Sequence, residues 1–539
     1  MTTRQTIAPP TPPNVKINSP ISQKNLSHFR THFPKNLSHL VQNPPSPQIC
    51  DNRDNRDNRD NRDNRDNRDN CDNCDNCDNK PTVGADLSRT PPIDRPSVDL
   101  PVSDVFCETS LSALHFRSFA PNLFIHPPPP KTLHPSPTIC YQYSKDISHT
   151  QKAERKTAVN FDLDEEQSDI RDMVRRFTER EITPYAGAWD ENNHFPREIY
   201  THMAELGLMG MTTPEEYGGS NLSRLSGALV YEELAKGEMA TSVGLSVHNM
   251  VTGSIARFGT AEQRQRWVTR LATGQLLGAF SLSETASGSD AASLQCRAES
   301  RGDSYILNGS KMWVTNGGEA DIYLLMARTS AGKGGAGVSC FIIEKGTPGF
   351  SFGKTERKMG LHSSPTRELI FEDCTIPAFN RLGEEGQGFK IALSSLDGGR
   401  INIGAVAVGV AQAAFDVACN YAREREQFGH PIGAFQAIQF MLADMAIKIE
   451  AARLLVYYAA YRLDAAQSAN TNAAMAKCFA TDTAMEVTTN AVQVLGGAGY
   501  VRDYPVERYM RDVKVAQIFE GTNQIQRIVI ARALLGNLR

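Results

Sequence analysis

The sequence lacks the features that direct a protein to nucleic acid, to nucleoside triphosphates or to a metal. Its 539 residues carry a formal net charge of -4, which provides no basic field for nucleic acid. No G-x-x-x-x-G-K-[ST] pattern occurs, and the 12 histidines show no metal-ligand spacing. We therefore expect no bound nucleic acid and no metal, in a chain long enough for several domains around a large core.

Cysteines and long apolar runs are also scarce where the composition is that of a globular protein. Only five of the 11 cysteines follow residue 160, and they are far apart: Cys296, Cys340, Cys374, Cys419 and Cys478. This pattern indicates a reducing compartment rather than a disulfide framework. The location we expect is the cytoplasm if the protein is bacterial and the mitochondrial matrix if it is eukaryotic. The most apolar stretch, residues 401–418, contains Asn402, Gln412 and Asp416. We predict that it is a buried helix of a bundle and not a membrane span.

Residues 1–157 have a different, low-complexity composition. The first 50 residues contain nine prolines and no Asp or Glu, and Asp-Asn-Arg triplets then repeat over residues 51–68. Such a segment cannot bury enough apolar surface to offset its chain entropy, so a disordered extension is predicted. Its C-x-x-C-x-x-C run at residues 71–77 is better explained by exchange of Arg for Cys within the repeat than by a metal site. A mitochondrial presequence and translated repeat DNA upstream of the true gene start are both open explanations.

The remaining sequence predicts an α+β fold of three parts. Helical periodicity dominates residues 158–276, which we expect to form an N-terminal helical domain. Short strands follow in residues 277–387, a middle β-barrel-like domain in which Asn308-Gly309 is typical of a hairpin turn. Long apolar helices return in residues 388–539, as in a C-terminal four-helix-bundle-like domain.

The strongest candidate for a catalytic group is a single carboxylate, Glu520, in the segment IFEGTNQIQR. An amphipathic stripe follows it, so we expect Glu520 on an extended segment just before a helix capped by Thr522 or Asn523. Gly521 would let a ligand approach the backbone closely. An acidic residue near a helix N-terminus is also favoured by the helix dipole alone. The position by itself therefore does not distinguish a base from a structural carboxylate.

Four motifs, in order, resemble those of the acyl-CoA dehydrogenase family of flavoproteins. They are SETASGSD at residues 283–290, KMWVTNG at 311–317, QVLGGAGYVRD at 493–503 and the Glu520 segment. The resemblance runs from about residue 161 to the C-terminus. It implies FAD-dependent α,β-dehydrogenation of an acyl-CoA thioester to the trans-2-enoyl-CoA, in fatty-acid β-oxidation or branched-chain amino-acid catabolism. It also implies electron-transfer flavoprotein as the electron acceptor, and a homotetramer.

The same resemblance implies roles for single residues. Glu520 matches the base that takes the α-proton, and its backbone N–H matches a donor to the thioester carbonyl. The positions that match FAD contacts are Phe280, Leu282, Ser283, Trp313, Thr315, Arg425, Gln436, Gln493, Val494, Leu495, Gly496, Gly497, Thr522 and Gln524. Those that match acyl-CoA contacts are Ser289, Asp397, Arg400 and Gly521. Arg425 and Gln436 are expected to reach the FAD of a neighbouring subunit.

Two other functions stay open at this point. An acyl-CoA oxidase would let oxygen reach the reduced flavin, although the extra C-terminal domain usual in oxidases is not seen after the Glu520 segment. A non-catalytic flavoprotein scaffold would have no need to retain Glu520.

The resemblance also bears on the substrate. Residues 237–256 contain no Lys or Arg, which argues against an acidic acyl tail, and Gly399 occupies the place where some family members carry their base. The run GGRINI at residues 398–403 is most similar to short, branched-chain members such as isobutyryl-CoA dehydrogenases.

Overall fold

The structure is a computed structural model that describes residues 162–331 and 334–536. The predicted disordered extension, residues 1–157, lies outside the described residues, so that prediction is not tested.

Helices form the first part of the described chain, as the periodicity predicts. At its start the Asp164 side chain accepts a hydrogen bond from the Gln167 N–H, and the Gln167 side chain accepts one from the Asp164 N–H. This capping box fixes the first helical turn. The helices are α1 Glu165–Phe177, α2 Ala186–Asn192, α3 Arg197–Glu205, α4 Arg224–Gly237, α5 Met239–Phe258, α6 Ala261–Gln263 and α7 Thr269–Ala272. A π-helical turn, Arg264–Val268, joins α6 to α7.

A mixed sheet follows, in the order β6-β7-β3-β2-β4-β5-β8, with β1 paired parallel to β4. The strands are β1 Gly278–Ser281, β2 Arg297–Arg301, β3 Ser304–Thr315, β4 Ile322–Arg328, β5 Val338–Glu344, β6 Phe350–Thr355, β7 Thr366–Pro377 and β8 Arg381–Leu382. Strands β4 and β5 are apolar and buried at nearly every position. Continuous burial of this kind means that both faces are covered, so alternation is lost there.

The predicted hairpin turn at Asn308-Gly309 is wrong. Strand β3 continues through both residues, and its pairing with β7 shifts register between Leu307 and Gly309. Gly309 has φ +130, and a Cβ on it would lie 2.8 Å from the Cα of Cys296. The glycine therefore forms a β-bulge that lets β2 and β3 approach closely. An Asn-Gly pair can occur in such a bulge as well as in a hairpin turn.

The C-terminal part is helical, as predicted. Its elements are α8 Gly388–Glu424, β9 Glu426–Gln427, β10 His430–Pro431, α9 Gln436–Asp464, α10 Asn470–Leu495, α11 Gly497–Tyr500, α12 Val506–Val513 and α13 Asn523–Leu535. Helix α8 packs against α10, α4, α9 and α5. It is long and apolar enough to cross a membrane by length and composition alone, but 72% of its most apolar window is buried inside the protein. The prediction of a buried bundle helix over residues 401–418 is confirmed.

Candidate functional site

Glu520 lies on a bend, and the expectation of an extended segment there is wrong. Its φ is +53, and Gly521 follows with φ +83, so two left-handed residues in series reverse the chain before α13. The Gln526 side chain holds the bend by donating from Nε2 to the carbonyls of Glu520 at 3.1 Å and Gly521 at 2.9 Å. Thr522 caps α13, as predicted, by accepting from the Ile525 N–H at 3.2 Å.

The Glu520 carboxylate meets the backbone of α8. A Cβ built on Gly399 would lie 2.8 Å from Oε2 and 3.0 Å from Oε1 of Glu520. Although the residue as a whole is partly exposed, Oε2 is buried and has no hydrogen-bond partner among the described residues. Burial raises the pKa of Glu520 to about 7, against the opposing effect of Arg400 and Lys477. A buried carboxylate oxygen without a partner is costly in a folded protein, which is a reason to look for a functional role.

Two cations act on this carboxylate. Arg400, one residue beyond Gly399, is buried, and its Nη1 lies 2.8 Å from Oδ1 of Asp397. Sequence reasoning placed Arg400 and Asp397 at the acyl-CoA, and the structure puts the arginine within electrostatic reach of Glu520. The second cation, Lys477 on α10, was missed. The available signal was a single lysine in an alanine-rich helix, where a charge has no obvious place.

The candidate flavin residues at the start of the sheet are brought together. The Met312 N–H donates to the Ser283 carbonyl at 2.9 Å, and Lys311 Nζ donates to the Leu282 carbonyl at 3.1 Å. These bonds hold the loop after β1 against β3. Trp313 has φ +57 and is 55% exposed, so core packing does not account for its position. Phe280 and Leu282 are partly buried against a core cluster.

Glu284, on the turn after β1, has a structural role. Its Oε1 accepts from Lys311 Nζ at 2.7 Å and from the Cys296 N–H at 2.9 Å, and its Oε2 accepts from the Gln295 N–H at 2.6 Å. The Lys311 side chain is fully buried. This buried pair fixes the end of the SETASGSD loop relative to the strand that carries Trp313.

A second set of candidates lies at the ends of the C-terminal helices. Arg425 and Gln436 are exposed and flank the β9–β10 hairpin. The Ile432 N–H donates to the Arg425 carbonyl at 2.7 Å, and this bond closes the base of the hairpin. No ion pair of Arg425 occurs among the described residues, so a salt bridge with a neighbouring glutamate does not account for this side chain. At the end of α10, Val494 and Leu495 are buried while Gln493, Gly496 and Gly497 are exposed. Gln524 is also exposed.

Nothing in the hydrogen bonds of the described residues links the Arg425–Gln436 pair to Glu520 within this one chain. Ser289 is exposed on its loop, and no hydrogen bond among the described residues links it to Glu520.

Two neighbouring cavities lie beside the Gly398-Gly399 pair. The smaller has a volume of about 30 Å³, and Gly399, Gly398 and Tyr231 are among its lining residues. The larger, about 420 Å³, shares Gly398 with it and extends past Asp397 and Asn470. Arg224, the first residue of α4, lines both. Sequence reasoning missed Arg224 because it lies before the stretch 237–256 in which cations were sought.

The residues present fit a flavin dinucleotide. Trp313 presents an aromatic face, and the hydroxyls of Ser283 and Thr315 bond to no other group that the structure describes, which leaves them for a ring edge. A Cβ on Gly496 or Gly497 would meet nothing within 4 Å, so these backbones are open to a phosphate group. Within the described ranges, no group of three or more His, Cys, Asp or Glu side chains could hold a metal ion.

Comparison with known proteins agrees with this geometry. The chain matches the acyl-CoA dehydrogenase N-terminal domain over residues 164–275, the middle domain over 279–374 and the C-terminal domain over 386–535. It is 46% identical over 373 residues to the mitochondrial isobutyryl-CoA dehydrogenase of Dictyostelium discoideum, an alignment that covers 69% of this chain and 90% of that protein.

Two solved structures are also similar. Butyryl-CoA dehydrogenase from Megasphaera elsdenii is 45% identical with a TM-score of 0.69, over 70% of this chain and all of that one. A chain from work on the electron transferring flavoprotein of Acidaminococcus fermentans is 51% identical, with the same TM-score and coverage. Three consecutive domain matches together with these identities show that the chain belongs to the acyl-CoA dehydrogenase family, whose cofactor is FAD.

Proposed function

We propose that this enzyme removes the α- and β-hydrogens of a short, α-branched acyl-CoA of the isobutyryl class, with Glu520 as the base. The observation that carries the proposal is the Glu520 carboxylate, whose Oε2 is buried, accepts no hydrogen bond from any described residue and lies against a glycine. A pKa raised by burial to about 7 lets the group be ionised near neutral pH and still bind a proton firmly.

The backbone at Glu520 suits activation of the substrate carbonyl. Its N–H donates to no acceptor among the described residues, and the left-handed bend turns this part of the chain away from α13. A fixed N–H of this kind can stabilise negative charge that develops on a thioester oxygen as the α-proton leaves. Proton removal by the side chain and carbonyl polarisation by the main chain would then come from one residue.

The sheet and the C-terminal helices would hold the cofactor. When bound, FAD supplies the acceptor for the β-hydrogen, which leaves as a hydride. Ser283 and Thr315 would bond its ring edge, Trp313 would pack against the ring, and the Gln493–Gly497 turn would hold its phosphates. We propose electron-transfer flavoprotein as the physiological acceptor, supported by the similarity to a chain from the Acidaminococcus work.

The cavity dimensions favour a short acyl group with a branch next to the thioester. The space beyond Gly399 is about 30 Å³, enough for roughly one small group, and buried Tyr231 lines it. An α-branch needs extra width beside the base, and the glycine pair Gly398-Gly399 provides it. The mitochondrial isobutyryl-CoA dehydrogenase to which the chain is similar would then have the matching substrate.

A different observation favours a second substrate class. Arg224 lines both cavities, and its guanidinium makes no ion pair with any described residue. A cation in the wall of an acyl cavity could receive the distal carboxylate of a dicarboxylyl-CoA. A glutaryl-CoA assay separates the two classes.

We expect isobutyryl-CoA to have the highest kcat/KM in a series with butyryl-, octanoyl- and glutaryl-CoA and an artificial electron acceptor. Octanoyl-CoA should be at least about tenfold poorer, because methylenes without space cost about 1–3 kcal/mol each.

Gly398→Ala is a matched probe of the same space: its Cβ would have only Arg224 Nη1 nearby, at 3.5 Å, and alanine favours the helix. It should slow isobutyryl-CoA more than butyryl-CoA. If glutaryl-CoA gave the highest kcat/KM, the branched-chain proposal would be wrong and a dicarboxylyl-CoA bound through Arg224 would be the substrate class.

We further propose a homotetramer, built as a pair of dimers. Helix α9 exposes four apolar side chains at intervals of seven residues, each between 43% and 66% exposed: Phe440, Ile447, Leu454 and Tyr461. Phe428 of the nearby hairpin is 91% exposed. Apolar side chains repeated at this spacing form a continuous stripe that a second helix can cover. The stripe begins one turn after Gln436, so an assembly through α9 would bring Gln436 and Arg425 to another copy.

Arg425→Ala should therefore weaken FAD retention while leaving the fold of each subunit intact. The side chain is exposed and bonds to nothing in its own chain that the structure describes, so its loss removes a contact only in the assembly. FAD content per subunit after gel filtration, with mass from light scattering, measures both effects. Wild-type monomer with one full FAD per chain would contradict the tetramer proposal.

A further inference from the structure

Lys477 on α10 is fully buried, although lysine is seldom buried unless it is paired. Its Nζ donates to the Gly521 carbonyl at 2.9 Å and to Asn523 Oδ1 at 2.9 Å. No carboxylate lies within ion-pair distance of this ammonium among the described residues. Its two acceptors lie one and three residues after Glu520, so the lysine supports the bend that carries the base.

The bend needs such support. Left-handed backbone at a residue other than glycine persists only where the surroundings hold it, and Glu520 has φ +53. Lys477 holds the Gly521 carbonyl from the α10 side, while Gln526 donates to the same carbonyl from α13. The network continues from Asn523, whose Nδ2 donates to Thr481 Oγ1 at 2.9 Å and to the Asp482 carboxylate at 2.7 Å.

The charges around the base come from separate helices. From α8, Arg400 faces Glu520, but Asp397 offsets part of its charge at 2.8 Å. From α10, Lys477 faces it without a carboxylate of its own.

The more distant carboxylate of this region is already paired. Asp482 of α10 lies 2.7 Å from Arg527 Nη2 of α13. Cys478 is also adjacent to Lys477, and burial raises the pKa of its thiol, which keeps it neutral at physiological pH. Of the two cations that act on Glu520, Arg400 is paired with Asp397, whereas Lys477 makes no ion pair among the described residues.

We propose that Lys477 is the positioning residue for Glu520: its ammonium fixes the Gly521 carbonyl and supplies the charge that keeps the carboxylate ionised in its buried site. The inference rests on the proposed role of Glu520 as the base. A neutral residue at 477 could hold the carbonyl but could not favour the charged form of the carboxylate.

The sign of the effect follows from the charges. Burial raises the pKa of Glu520 and the Lys477 cation lowers it, so removal of the cation should move the pKa above its present value of about 7. Activity requires the ionised form and is lost as pH falls through this pKa. The acid limb of kcat/KM should therefore move to higher pH. Burial lowers the pKa of Lys477 itself to about 8, so wild type and variant should converge above that pH.

We expect Lys477→Gln and Lys477→Met to shift the acid limb upward by about one pH unit, which leaves about tenfold less ionised base at pH 6. The Glu520 carboxyl band can be identified in the infrared spectrum because Glu520→Gln lacks it. The pH midpoint of this band should shift by the same amount in the Lys477 variants, and the measurement reports protonation without turnover. Calorimetric binding of a non-reactive acyl-CoA thioether shows that the site is intact. Should the methionine variant not fold, the glutamine variant, which keeps an N–H donor, carries the test.

Thr481→Val is the matched control, because it removes a buried hydrogen bond to Asn523 without removing a charge. It should lower stability or rate at all pH values and leave the limb in place. Lys477 variants that are slower at every pH with an unshifted limb would overturn the inference and leave only a structural role. Full activity of Glu520→Gln would instead overturn the assignment of the base, so the two failures are distinguishable.

Discussion

Glu520→Gln should still bind acyl-CoA but reduce its bound flavin under anaerobic conditions at least about 10²–10⁴-fold more slowly than wild type. Glutamine keeps the shape of the side chain and fits beside Gly399, where the carboxylate now lies. It cannot accept a proton from carbon, so the barrier to α-proton removal rises while the ground-state contacts persist. Stopped-flow bleaching of the flavin absorbance by isobutyryl-CoA measures this step separately from reoxidation.

The chain offers a matched control for this experiment in Asp512 of α12. It too is a buried carboxylate whose pKa burial raises to about 7, yet its Oδ1 accepts the Leu361 N–H at 2.6 Å. A raised pKa is thus not sufficient to identify a base, and the difference lies in the missing hydrogen bond at Glu520 Oε2. Asp512→Asn should keep the reductive rate of its folded fraction. The assignment is wrong if the asparagine variant is the slow one and Glu520→Gln reacts at wild-type speed.

Glu284→Gln is expected to lower the free energy of unfolding by about 3–5 kcal/mol, the usual cost of removing one partner from a buried ion pair. Both oxygens of Glu284 accept from N–H groups, and Lys311 is completely buried beside them. An amide would place an NH₂ group against one of these donors and leave a buried ammonium without its counter-charge. Urea unfolding of the holo-protein at constant FAD concentration measures the loss.

The exposed pair Glu299–Arg301 is the control for that loss. Its side chains are 60% and 61% exposed, so Glu299→Gln should change stability by less than about 0.5 kcal/mol. Folded Glu284→Gln should keep most of its reductive rate because the base is untouched. Equal stability of the two variants would show that Lys311 is satisfied in another way, for instance as the neutral amine.

The architecture could be predicted, and Glu520 could be singled out as the candidate base, because both signals are local. Hydrophobic periodicity identified the helical, β and helical parts, and the residues around Glu520 carried the family pattern. The turn at Asn308-Gly309 was mispredicted because a hairpin and a bulge use the same local chemistry, and only the partner strands decide between them.

The surroundings of the base could not be read from the sequence for a related reason. Lys477 precedes Glu520 by 43 positions and Arg400 by 120, and only the packing of α8 and α10 brings their charges to it. The left-handed backbone of Glu520 was equally unpredictable, since intrinsic preference disfavours it and contacts from distant residues impose it.

Helix α8 has a consequence for how the protein folds. Glycine disfavours a helix by about 1 kcal/mol relative to alanine, so this helix, with glycines along its length, should be a poor helix in isolation. Those glycines admit close neighbours from each part of the chain. A Cβ on Gly388 would lie 2.3 Å from the Ser339 carbonyl carbon of β5, one on Gly399 would meet Glu520, and one on Gly409 would lie 2.1 Å from the Glu232 carbonyl of α4. We therefore expect the helix to become ordered together with these three neighbours, so that the sheet and both helical parts unfold in one cooperative transition rather than as three autonomous domains.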